Sequence, residues 1–124
     1  MSNKITPDIV RHGLRRRGAV RPFRFKKGEM NRTEAQYGDF LEGLKVSGTI
    51  VDYRFEGVKL RLADKTFYTP DFLVVYPDRF ECHEVKGFWR DDARVKIKVA
   101  ASQYPWMRFK AVQWKGGKLV TEEF

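Results

Sequence analysis

The 124 residues, 42% apolar and 15% aromatic, suffice for one packed domain and exclude both a second full core and wholesale disorder. The longest uninterrupted apolar run, Phe72–Tyr76, falls far short of the roughly 20 residues of a membrane-spanning helix, and the single cysteine, Cys82, excludes an internal disulfide or a cysteine-rich zinc site. A formal charge of +9 points to a polyanionic partner, nucleic acid foremost, and to no membrane.

The charge is unevenly spread. Residues 1–30 hold nine bases against two acids, whereas the other 94 residues carry only +2. Arg15, Arg16, Arg17, Arg24, Lys26 and Lys27 are the candidate phosphate contacts there; a basic tail serving solubility is the plainer alternative. Gly13, Gly18, Pro22 and Gly28 interrupt any sustained period, so 1–30 reads as a basic, mobile arm and 31–124 as the folded domain. The opening residues show no apolar stretch of a secretory signal. With one cysteine, the cytoplasm is the expected compartment.

The first helix is expected at about 32–46. Asn31 or Thr33 can cap it, Glu34 or Gln36 can close a capping box, and Tyr37, Phe40, Leu41 and Leu44 form one apolar stripe. Strands follow at 49–55 and 58–62, the second alternating Val58, Leu60 and Leu62 with Lys59 and Arg61. A turn at Asp64-Lys65 leads into a single long strand at 67–76, with Pro70 near its start. A strand at 80–86, a second helix capped by Asp91 or Asp92 and stopped by Pro105, and a hairpin at 108–124 turning on Gly116-Gly117 complete the chain. The expected class is α/β (α+β): a central mixed sheet of about five strands flanked by helices. Trp106 and Trp114 read as core.

Polar residues break the apolar pattern at three places. Alternation along 80–86 puts Phe80, Cys82, Glu84 and Lys86 on one face and Glu81, His83 and Val85 on the other. Asp71 lies among apolar and aromatic neighbours on the preceding strand, where a carboxylate is costly unless paired or metal-bound. Two carboxylates and a lysine at a strand pair suit a hard cation such as Mg²⁺ and phosphoryl chemistry; a plain ion pair on an exposed strand face is the alternative. Glu34, at the edge of the helical stripe, either reaches the sheet or merely caps its helix. His83 faces away from Glu84 and reads as a packed histidine; Cys82 reads as a core filler.

The combination Tyr68-Thr69-Pro70-Asp71-Phe72, then Glu84-Val85-Lys86-Gly87 with Trp89 and Asp91-Asp92, preceded by a glutamate-bearing helix, resembles the PD-(D/E)XK nuclease superfamily. More narrowly it is similar to the bacteriophage endonuclease I group of Holliday-junction resolvases and to small phage and prophage nucleases. The resemblance covers roughly residues 33–114 and leaves out the basic arm. It implies a restriction-endonuclease-like core and a metal-dependent endodeoxyribonuclease that leaves 5′-phosphate ends, with branched or junction DNA among the expected substrates, in the host cytoplasm if phage-encoded. Asp71, Glu84 and the Val85 carbonyl would bind Mg²⁺ or Mn²⁺, Glu34 would serve a second metal or its waters, and Lys86 would be the catalytic lysine. A homodimer would suit a two-strand cut. On the DNA side, Arg90, Arg94 and Lys98 recur every four residues along the second helix, and Trp89 is placed to stack on a base. RNA stays open, since nothing singles out a 2′-hydroxyl. A nucleic-acid-binding module that keeps the fold without cutting is the alternative function.

Overall fold

Asn31 caps the first described helix: its side chain accepts the Glu34 N–H at 2.8 Å while Glu34 Oε1 accepts the Asn31 N–H at 2.9 Å. This closed capping box opens helix α1, Arg32–Val46. The computed structural model describes residues 29–87 and 91–124. The expected arm at 1–30 therefore lies almost wholly outside the described residues. Tyr37 and Leu41 are buried, Leu44 packs at the margin, and Phe40 is partly exposed. Gly48, at a positive φ of 86°, takes the left-handed position that ends α1.

The strands are β1 (Asp52–Phe55), β2 (Leu60–Ala63), β3 (Thr66–Tyr68), β4 (Phe72–Tyr76), β5 (Arg79–Val85), β6 (Met107–Lys115) and β7 (Lys118–Glu123), with helix α2 (Asp91–Gln103) between β5 and β6. Five of them form one mixed sheet in the order β1-β4-β5-β6-β7. Only β5 and β6 run parallel, as strands joined through a helix can. The other neighbours are antiparallel. Strands β2 and β3 pair as a separate hairpin. The molecule is thus α+β, as the pattern predicts. Gly116 and Gly117, both at positive φ, supply the tight β6–β7 turn.

Alternation divides the core into two layers. Val74, Val85 and Val112 face α1, with Tyr37, Leu41, Ile50, Tyr53 and Phe72. Cys82 and Phe109 face the other way, against Ile97 and Ala100 of α2 and against Leu60 and Tyr68 of the hairpin. The sheet therefore carries α1 on one side and α2 with the hairpin on the other.

Three expectations change. The strand expected at 67–76 is two strands in two different sheets, broken at Thr69-Pro70-Asp71. Pro70 has no N–H for the ladder, and the chain crosses from hairpin to sheet there. Asp71 consequently stands just before β4, its carbonyl accepting the Glu56 N–H at 2.7 Å. Trp106 is not core: it is 68% exposed, set after the end of α2 and before β6, and its ring meets Tyr104 edge-on. The helix opens at Asp91, so Asp92 falls inside the first turn of α2, where its charge complements the helix dipole.

Candidate functional site: an acidic cluster at the end of β5

Strand β5 ends where β4 begins, and the first turn of α1 comes over the same end of the sheet. The strand alternation that buries Cys82 places Glu84 on the α2 side, next to the hairpin. Its carboxylate is held from both sides. Tyr68 donates its hydroxyl to Glu84 Oε1 at 2.7 Å, and the Lys86 ammonium lies 3.2 Å from Glu84 Oε2. Asp71 Oδ2 accepts the Val85 N–H at 2.8 Å. The Glu34 carboxyl closes the capping box and lies close enough to the Asp71 carboxyl to shift its protonation. Of the two sequence readings of Glu34, the capping box is what the hydrogen bonds form, and it leaves the carboxyl near Asp71. Glu34, Asp71, Glu84, Val85 and Lys86 are thus brought to one place by the start of α1, the break before β4 and the end of β5.

Three carboxyl groups face one ammonium, and their protonation records the crowding. Burial, then the charge of Glu84, pushes the Asp71 carboxyl up to about 8; the Val85 N–H and Lys86 oppose this, and Glu34 adds to it. Burial likewise raises Glu34, offset in part by the bond to Asn31 and by Asp71 and reinforced by Glu56 and Glu84. Asp71 is raised into the neutral range. Burial and the Glu84 charge raise the Tyr68 hydroxyl, which stays a donor.

The donors are oxygens, the ligands Mg²⁺ and Mn²⁺ prefer, and the anionic excess favours a cation. Among the described residues no three acidic, histidine or cysteine side chains form a ready-made metal cage. Mg²⁺ needs only one or two protein carboxylates and keeps its waters, so the residues present fit such an ion.

The other expected contacts divide. Lys98 is exposed on α2. Arg94, on the same helix, makes a two-pronged pair with Glu122 and lies 5.6 Å from the centre of the Phe124 ring. Arg90, Trp89 and the candidate arm residues Arg15, Arg16, Arg17, Arg24, Lys26 and Lys27 lie outside the described residues. Cys82 is buried, its thiol pushed up to about 12 by burial and by Glu84 and Glu81, which suits a core filler.

The α1 side of β5 carries a polar network of its own. The Tyr37 hydroxyl meets His83 Nδ1 at 2.7 Å, and His83 Nε2 meets Glu81 Oε1 at 2.9 Å. Arg79 donates to Glu81, and Lys110 lies 3.2 Å from it. Burial disfavours the charge of Glu81, which is 0% exposed, but the bonds from His83, Arg79 and Lys110 outweigh it and bring the carboxyl down to about 2. His83 is packed, as its strand parity predicts. Tyr68 escaped the sequence reading; the signal for it was a tyrosine on the inward face of a hairpin, whose hydroxyl needs a polar partner when buried.

No family model, curated protein or solved structure matches this chain. What the coordinates define is an α+β protein with a lysine-bearing acidic cluster at a strand end.

Proposed function

We propose that this chain is a divalent-cation-dependent endodeoxyribonuclease built on a restriction-endonuclease-like core, with branched DNA as the leading substrate. The observation that supports this most is the meeting of Asp71, Glu84 and Glu34 with Lys86 at the carboxyl end of β5, the end where ligands sit in open sheets with parallel strands. Asp71, Glu84 and the Val85 carbonyl would hold Mg²⁺ or Mn²⁺, which would supply Lewis acidity and a lowered water pKa, and Glu34 would serve a second ion or its waters. The Val85 N–H fixes one Asp71 oxygen and leaves the other for the site. Tyr68 anchors Glu84 from the hairpin side. The Lys86 ammonium orients the attacking water or neutralises charge developing on the phosphoryl oxygens. In-line attack then leaves 5′-phosphate and 3′-hydroxyl ends.

The test incubates linear, nicked and four-way DNA with the protein in Mg²⁺, Mn²⁺ or EDTA. Cleavage is expected with either metal and not in EDTA, and Glu84→Ala and Lys86→Ala should each reduce it by roughly a hundredfold or more. Cleavage that survives both substitutions removes the site assignment. Tight binding without cleavage of any substrate would favour a non-cutting nucleic-acid-binding module.

A further inference from the structure

The β2–β3 hairpin has two unlike faces. Its inner face packs Leu60 and Tyr68 against the core and sends the Tyr68 hydroxyl to Glu84. Its outer face carries Arg61 and Phe67, which are cross-strand partners, and Lys59, whose Nζ lies 4.7 Å from the centre of the Phe67 ring. Phe67 is 40% exposed, and Lys59 and Arg61 are exposed beside it. The hairpin is braced on α2: Tyr104 donates its hydroxyl to the Arg61 carbonyl at 2.7 Å, and Gln103 donates to the Leu62 carbonyl at 3.1 Å. This face is held in place from behind.

We infer that the outer face of the hairpin is a stacking platform for an unpaired nucleotide, with Phe67 taking the base and Lys59 and Arg61 its phosphates. A protein-docking face would surround Phe67 with apolar neighbours, whereas here its neighbours are cations. An aromatic face beside positive charge matches the two parts of a nucleotide. Arg61 is held only loosely by Asp64, at 3.9 Å across two exposed side chains, a contact a phosphate can replace at small cost. Phe67 and Tyr68 are consecutive residues on opposite faces of β3, so the hairpin that would carry the platform is also the one that anchors Glu84. The inference rests on the cleavage reading for its choice of nucleic acid over other polyanions, and it adds a preference for unpaired strands.

Fluorescence anisotropy in EDTA tests it, with labelled oligothymidylate, oligouridylate and a duplex as probes and the whole chain as protein. Phe67→Ala should weaken single-strand binding by roughly 5- to 150-fold, the range of one stacked base, and leave duplex binding nearly unchanged. Phe67→Trp should restore it. Lys59→Ala should weaken binding to every probe and flatten its salt dependence. Loss on one of the two single strands alone identifies the polymer, and loss on both assigns the platform to bases in general. Single-strand binding by Phe67→Ala equal to the parent, or an equal loss on the duplex, overturns the platform. Because no turnover is read, a chain that cuts nothing still passes this test, and a chain that cuts while Phe67→Ala binds unchanged fails it alone.

Discussion

Asp71, just before β4, and Glu81, on the adjoining β5, are acids whose surroundings drive them in opposite directions. Asp71, raised from 3.8 to about 8, binds more protons folded than unfolded between those values. Its contribution to stability is therefore complete below about pH 4 and is lost as pH rises to about 8. Asp71→Asn should remove this slope and raise the melting temperature above pH 8 by roughly 4–8 °C, equivalent to about 1 kcal/mol, while abolishing cleavage; melting curves across pH check the first and the DNA assay the second. Glu81 has the opposite sign. Lowered from 4.5 to about 2, it stabilises fully above pH 4.5, and that stability is lost as pH falls toward 2. Glu81→Ala leaves Arg79, His83 and Lys110 facing one another without their acid, and urea denaturation should show a loss of about 3 kcal/mol. One carboxylate is paired for stability; the other is crowded at its expense, a pattern that suits a cation site.

At the scale of elements, the start of α1 carries two roles that substitution can separate. Asn31→Ala removes the cap and should cost about 1 kcal/mol, seen as a lower melting temperature, with cleavage by the folded fraction little changed. Glu34→Gln keeps an acceptor for the Asn31 N–H but removes the charge facing Asp71, so it should lower cleavage with little loss of stability. The same element shows how far a sequence can be read. The stripe of Tyr37 and Leu41 and the cap at Asn31 are local, and they announce the helix without help. Strand parity was equally legible at Glu84 and His83, because alternation with period two decides the face whatever the partner strand. The split between β3 and β4 was not. Pro70 signals an interruption, but only the sheet to which each half pairs tells that the chain changes layers there. Nor could Tyr68 be matched to Glu84, or the Val85 N–H to Asp71, since both contacts depend on register between distant segments.

At the scale of the whole molecule, the charge asymmetry makes its own prediction. The first 30 residues bring +7 of the total +9, so a chain beginning at Asn31 should bind DNA more weakly at low salt, with a shallower dependence of log affinity on log salt, and differ little at high salt. An unchanged slope would show that those bases touch no phosphate. The described domain is nearly balanced in charge, and its chemistry is concentrated at one end of the sheet, where the hairpin, α1 and β5 meet. No helix among the described residues is long and apolar enough to cross a membrane.

Titration of Mn²⁺ into the 124-residue protein, followed by calorimetry, tests the central claim without needing a substrate. The account predicts saturable binding that Glu84→Ala and Asp71→Asn each weaken by at least roughly tenfold, with both variants still folded by circular dichroism. Binding of Mn²⁺ by both variants with the affinity of the parent protein would contradict it.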